Sequence, residues 1–207
     1  MTVDPSRRQS RREFLSASVV VPALALAGAQ AVGAQAVPPA ATPACGDGDH
    51  ATPPETEGPY FKPRSPARTS LLEPDMPGPR IVVEGSVLGT DCRPLARALL
   101  DFWQADAAGR YDNTGFRLRG HQFTDDAGRY RLETVVPGVY PGRTRHIHVK
   151  VQAPHQAVLT TQLYFPGEPA NRRDPLFVPA LLLATQDEGA AQRGRFDFVL
   201  DLRRPAG

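Results

Sequence analysis

The chain of 207 residues has no uninterrupted run of about 18 strongly apolar residues, so no stable membrane span is expected. It has little lysine: Lys62 and Lys150 stand against 22 arginines. The arginines are scattered, and 24 basic against 22 acidic side chains leave almost no net charge. Both features argue against nucleic acid as a partner, because that needs a concentrated basic surface. Cysteine is nearly absent, and Cys45 and Cys92 lie outside any CxxC metal pattern. There is no internal repeat, and compositional bias is confined to an Ala/Pro-rich stretch near residues 36–44. The chain is nonetheless 41% hydrophobic, enough to exclude general disorder, and its length predicts one domain with a sizeable core.

Residues 1–36 read as an address. Ser10-Arg11-Arg12-Glu13-Phe14-Leu15 precedes an apolar, Ala-rich stretch from 17 to about 29, and Ala34-Gln35-Ala36 offers a cleavage site. Paired arginines, a following Phe-Leu and a weak apolar core resemble a twin-arginine export signal. That route carries folded proteins, so a cofactor can be inserted before export to a periplasmic or extracellular destination. Loss of residues 1–36 would remove four arginines, Asp4 and Glu13, leaving the charges balanced. An oxidising destination favours a disulfide between Cys45 and Cys92, with two buried free thiols as the alternative.

Residues 37–80 are rich in Pro, Gly and Thr without periodicity, and are expected to form an N-terminal arm or linker packed on a domain. From residue 81 the pattern predicts strands over 81–88, 98–104, 116–124, 129–135, 146–152, 159–165 and 195–202. Turn signals separate them at Asp125-Asp126-Ala127-Gly128, Pro137-Gly138 and Pro166-Gly167. Alternation is clearest in 195–202, where Phe196, Phe198, Leu200 and Leu202 share a face. Short helical turns are expected only at 170–177 and 186–192. The whole predicts an all-β domain over 81–207, an antiparallel β-sandwich with long loops.

The chemistry gathers in Val139-Tyr140-Pro141-Gly142-Arg143-Thr144-Arg145-His146-Ile147-His148-Val149-Lys150-Val151. Residues two apart on a strand share a face, so His146 and His148 project together while Ile147, Val149 and Val151 face an apolar core. Two adjacent imidazoles form half of a metal site, although such a pair also occurs as structure or surface. No Cys completes it, and no His-x-Asp or His-x-x-Glu pattern lies nearby, which disfavours structural zinc and the two-His-one-carboxylate iron centre. Tyrosines remain. Tyr140 sits in a Pro/Gly loop and Tyr111 just past a strand end, both well placed to reach a cofactor, and each also readable as a packing residue.

Taken together, these blocks resemble the intradiol ring-cleavage dioxygenases, the protocatechuate and catechol dioxygenases. Thr56-Glu57-Gly58-Pro59-Tyr60-Phe61 is similar to the family's entry segment. Asp101-Phe102-Trp103 with Gly109-Arg110-Tyr111 is similar to the element bearing its first tyrosine ligand. Leu118-Arg119-Gly120-His121-Gln122-Phe123-Thr124-Asp125 precedes Pro137-Gly138-Val139-Tyr140, which matches the second. Arg143 with His146-Ile147-His148, then Thr161-Gln162-Leu163-Tyr164-Phe165-Pro166-Gly167, match the final block. The resemblance implies one non-haem Fe(III) ion per chain, held by Tyr111, Tyr140, His146 and His148. It implies a small aromatic diol and O2 as substrates and a cis,cis-muconate-type diacid as product. It further implies that Tyr140 leaves the metal to accept a substrate proton, that Arg143 stabilises negative charge on the ring, and that Gln162 lies near the substrate. Two phenolates suit a hard ferric ion, which strips a phenol of its proton.

The chain departs from the family where Arg143-Thr144-Arg145 replaces an Arg-Pro-Ala run. It also lacks the helical dimerisation region of the catechol and hydroxyquinol enzymes, which places it nearer the protocatechuate type. The oligomeric state is left open. The competing possibilities are a non-catalytic exported sandwich that binds a metal or ligand, and a polysaccharide-binding module, for which the sequence shows no aromatic platform. His121 reads as a hydrogen-bonded strand residue, His50 and His155 as solvated, and Trp103 as packing beneath the site. Asp125-Asp126 reads as hairpin turn chemistry.

Overall fold

A computed structural model describes residues 51–189 and 191–202. The expected export signal, His50 and Cys45 lie outside the described residues. Cys92 is held in a disulfide.

Among the described residues, nine strands follow in order: β1 (Arg80–Gly89), β2 (Leu99–Trp103), β3 (Arg119–Phe123), β4 (Arg129–Val135), β5 (His146–Gln152), β6 (Leu159–Tyr164), β7 (Ala184–Glu188), β8 (Ala191–Arg195) and β9 (Phe198–Leu200). One sheet runs β4-β1-β8-β7 with β9 also paired to β1, and the other runs β3-β2-β5-β6. Period-2 alternation sets the sides. Ile81 and Val83 of β1 and Leu132 of β4 meet Leu100 and Phe102 of β2, Ile147, Val149 and Val151 of β5, and Leu163 of β6 in one buried cluster. Burial of each such side chain contributes about 1.5–3 kcal/mol. The all-β sandwich expected from the sequence is what forms. Among the described residues, no helix is long and apolar enough to cross a membrane.

Several local expectations need correction. The segment 195–202 is not one alternating strand. It splits into the end of β8 and a separate β9, both running parallel to β1 while the other strand pairs are antiparallel. The break falls at Phe196-Asp197, where Asp197 Oδ1 accepts the Ser86 N–H at 2.7 Å and takes a donor from the ladder. The Phe196 carbonyl oxygen presses so close to Gly85 that a methyl there would lie 1.8 Å away, so glycine makes the crossing feasible. The described residues 186–189 and 191–192 form no helical turn. They belong to the β7–β8 hairpin, in which Glu188 faces Ala191 and Gly189 takes φ 68°. The strand expected from 116 starts only at Arg119, because Leu118 adopts φ 54°, outside the β region. Tight 3-10 turns occupy Pro169–Arg172, overlapping only the start of the helical stretch expected at 170–177, and Pro179–Leu181.

Residues 51–79 contain no named strand. They bond the β3-β2-β5-β6 sheet at Glu55 to Thr160 and through the isolated bridge Ala67–His121, and the other sheet at Thr52 to Val199 of β9 and through the bridge Ser70–Glu133 of β4. His121 Nδ1 lies 2.7 Å from the Ser65 carbonyl oxygen, and Ser65 Oγ donates to Asp101 at 2.7 Å. His121 is thus a hydrogen-bonded strand residue that fastens the arm.

Candidate metal centre

The face of β5 opposite the core carries His146 and His148. Cross-strand register sets His148 opposite Trp103 on β2 and Gln162 on β6, and His146 opposite Tyr164. An outer sheet face normally meets water, yet His146 is 3% and His148 1% exposed, because the arm and two loops cover them. His146 Nδ1 lies 2.6 Å from the Thr144 carbonyl oxygen. That contact is a hydrogen bond only with the proton on Nδ1, so Nε2 is left as a lone-pair donor. His146 Nε2 is 3.2 Å from His148 Nε2. Trp103 stacks on the His148 ring with centroids 4.8 Å apart and 6° between planes, the packing role expected of it. Burial pulls the His146 pKa down to about 4, with the Thr144 carbonyl opposing. Burial and then the His146 ring pull His148 well below the usual imidazole range. Both rings are therefore neutral at pH 7 and able to coordinate.

The two tyrosines come from loops. Tyr111 follows β2 and Tyr140 precedes β5, and glycines let their loops meet. Gly138 N–H donates to the Asp106 carbonyl at 2.8 Å. A methyl at Gly109 would sit 2.4 Å from the Val139 carbonyl oxygen, and one at Gly138 2.4 Å from Gly109 N, so neither position admits a side chain. The resulting geometry closes a circle of four rings. Centroids are 5.8 Å apart for Tyr111–Tyr140, 5.6 Å for Tyr140–His146, 4.7 Å for His146–His148 and 6.3 Å for His148–Tyr111. The Tyr111 hydroxyl is buried with no hydrogen-bond partner among the described residues. Burial and then the neighbouring Tyr140 push its pKa above the ordinary phenol range, with Arg143 and Arg119 opposing. Burial also raises Tyr140, against the adjacent Arg143 guanidinium.

This arrangement fits a hard cation. Among the described residues no group of three or more His, Cys, Asp or Glu is placed to hold a metal, and the donors that the circle adds to the two imidazoles are tyrosine oxygens. A buried phenol without a partner costs about 1–3 kcal/mol. The two imidazole Nε2 atoms face each other at 3.2 Å, so one ion can reach both. One hard cation among the four rings would give the buried Tyr111 oxygen a partner, turning the phenols into phenolates and engaging both Nε2 atoms.

Arg143 and Gln162 lie beside this circle. Arg143 Nη2 donates to Gln162 Oε1 at 2.6 Å, and its Nε pairs with Asp174 Oδ2 at 3.0 Å. Gln162 Nε2 donates to the Thr56 carbonyl at 2.9 Å, and Tyr164 Oη donates to Gln162 Oε1 at 3.2 Å. A cleft of about 500 Å³ opens at Tyr140 and Arg143, walled by Val139, Ala170, Arg173 and Asp174. All six residues singled out in the sequence thus come to one place. Asp174 escaped notice there: it lies in a turn without periodicity, and its partner Arg143 is 31 residues earlier. Arg119 and Tyr60 were quoted only as parts of longer blocks. Arg119 is an alternating strand residue whose burial (1% exposed) is set by the arm above it.

Comparison with known proteins gives a consistent picture. The family model described as Dioxygenase matches residues 56–202. The protocatechuate 3,4-dioxygenase beta chain of Burkholderia cepacia is 36% identical over 152 residues, 59% of this chain and 65% of that protein's length. The chlorocatechol 1,2-dioxygenase of Pseudomonas sp. (strain P51) is 30% identical over 179 residues, 73% of this chain and 71% of that protein. Among solved structures, the dioxygenase domain of a dioxygenase carbohydrate-binding protein fusion from Streptomyces sp. SirexAA-E is 60% identical, with a TM-score of 0.72, covering 73% of this chain and 99% of that one. The 3-chlorocatechol 1,2-dioxygenase of Rhodococcus opacus 1CP is 29% identical with a TM-score of 0.68, covering 73% of each chain.

Proposed function

The chain belongs to the intradiol ring-cleavage dioxygenase family, and from that premise we propose that it uses one non-haem Fe(III) ion and O2 to open catecholic rings between the two hydroxyl-bearing carbons. The observation that carries this is the closed circle of Tyr111, Tyr140, His146 and His148, with the Tyr111 phenol buried and unpartnered. Tyr111 and Tyr140 would hold the ion through Oη, and His146 and His148 through Nε2. When bound, the ferric ion supplies a Lewis acid and electron acceptor that draws density from the diol and makes its ring reactive toward O2.

The chain's own residues do the remaining work. Tyr140 borders the cleft and is the phenol nearer to solvent, which supports it as the group that accepts one proton from the incoming diol. Arg143 is fixed by Asp174 and Gln162 and aims its charge at the same space, where it stabilises negative charge developing on the ring. Gln162, tied to the Thr56 carbonyl, keeps Arg143 oriented. Trp103 and Tyr164, 1% and 0% exposed, back the histidines and keep water out. A non-catalytic metal-binding module would need neither Arg143 nor Gln162 beside the rings. The product is the diol plus both atoms of O2, a muconate-type diacid.

The relatives are named for protocatechuate, catechol, chlorocatechol and hydroxyquinol, and these define the substrate panel. The proposal includes export, from the twin-arginine pattern of residues 1–36. The test is oxygen uptake by iron-loaded protein across that panel, with the product mass measured. One O2 consumed per diol and a diacid heavier by two oxygens is expected. No uptake with any of the four, from protein that retains iron, would refute the assignment.

A further inference from the structure

The arm does more than cover the sheet, because its residues 58–62 form the back wall of the four-ring circle. Tyr60 stacks flat on Tyr111, with centroids 4.2 Å apart and planes 17° from parallel, and meets Tyr140 edge-on at 6.4 Å. Phe61 packs against Trp103 at 4.9 Å, and Trp103 in turn stacks on His148. Gly58 passes so close that a methyl there would lie 3.5 Å from His148 Cε1. The segment is bolted to the Tyr111 loop. Buried Arg119 donates from Nη1 to the Tyr60 carbonyl at 2.6 Å and from Nη2 to the Asp112 carbonyl at 3.0 Å. Lys62 Nζ donates to the carbonyls of Thr114 at 2.9 Å and Gly115 at 2.7 Å.

Two of the four rings therefore owe their orientation to an arm that contributes no atom to the circle. We propose that Tyr60 is the positioning residue for Tyr111, and that through this stack the docking of residues 58–62 and the binding of the metal are coupled. A phenol on a loop tip has two torsions to lose on coordinating. A flat aromatic neighbour at 4.2 Å removes that freedom in advance and dictates the plane of the phenolate. Whatever binds only the docked form stabilises docking, so the coupling acts in both directions. The inference rests on Tyr111 being a ligand, as proposed above.

The experiment compares wild type, Tyr60→Phe and Tyr60→Leu, each loaded with Fe(III). Three quantities are read: the visible phenolate-to-iron absorption, iron retention against a chelator, and tryptic cleavage after the exposed Arg64, whose neighbour Ser65 is buried while the arm is docked. Tyr60→Phe keeps the stack and is expected to match wild type within about twofold in retention, with the absorption maximum unmoved. Tyr60→Leu is expected to shift that maximum and to lose iron at least about tenfold faster. Iron is expected to slow cleavage after Arg64 at least about tenfold in wild type, and much less in Tyr60→Leu. The wild-type proteolysis needs no variant to fold. Equal cleavage with and without iron in a coloured wild-type protein, or a Tyr60→Leu protein with unchanged absorption and retention, would overturn this inference alone. A colourless wild type that retains iron would instead remove the ligand assignment beneath it.

Discussion

Replacing Tyr111 with Phe should move the metal-free and iron-loaded proteins in opposite directions. The Tyr111 hydroxyl is buried and has no partner among the described residues, while its ring stacks on Tyr60 at 4.2 Å. Phenylalanine keeps the ring and the stack and deletes only the oxygen. A buried polar group without a partner costs about 1–3 kcal/mol, so the metal-free variant should gain at least about 1 kcal/mol. For a domain of this size that is a rise of about 2–4 °C in Tm. With iron the sign reverses, because one of two phenolates is lost. Residues that merely support ligands cost about 10–100-fold in metal affinity, and a ligand should cost more. The assay is a pair of thermal melts, on chelator-treated and on iron-loaded protein, for wild type and variant. A metal-free variant that melts below wild type would refute the reasoning, since it would mean that the hydroxyl has a stabilising partner and is not kept for a metal.

Asp174→Ala should destabilise the fold by about 3–5 kcal/mol in urea unfolding, because it strips the Arg143 guanidinium, on a side chain only 12% exposed, of its carboxylate partner; a loss under about 1 kcal/mol would mean the pair is not an anchor. Gly138→Ala would bring a methyl 2.4 Å from Gly109 N, so it should cost about 1–3 kcal/mol and displace the Tyr140 loop. Unchanged stability and an unchanged visible spectrum would contradict that. The metal-free protein should also be acid-labile. Burial holds the His146 pKa at about 4 against an ordinary 6.5, so between those values the unfolded chain binds the extra proton. Stability from this group is complete above about pH 6.5 and is lost as pH falls toward 4, by up to about 1.4 kcal/mol per unit. Melts of metal-free protein at pH 7 and pH 5 check it, and equal Tm values would count against a buried neutral His146.

Much of this architecture was legible in the order of residues. Period-2 alternation in 146–152 placed both histidines on one face and Ile147, Val149 and Val151 in the core, as β5 has them. Alternation misled at 195–202, because it says nothing about the Phe196 carbonyl pressing on Gly85 of β1, where the segment splits. The β7–β8 hairpin looked helical since Gln186, Asp187 and Glu188 are polar and exposed and Ala191 and Gln192 are only half-buried, with no buried face to print a period of two. The tyrosines carry no periodicity at all. Their loops are set by the contact of Gly109 with Gly138, 29 positions apart, and it was the family resemblance that singled them out. Asp174, Arg119 and Tyr60 were least legible, because each acts through a partner distant in sequence: Arg143, the Tyr60 carbonyl and Tyr111 respectively.

The central claim is that two phenolates and two imidazoles hold one ferric ion, and an anomalous-scattering map at the iron edge from crystals of iron-loaded protein tests it most directly. The account predicts a single peak within bonding reach of Tyr111 Oη, Tyr140 Oη, His146 Nε2 and His148 Nε2. A peak elsewhere, or one that leaves any of these four atoms out of bonding reach, would contradict it.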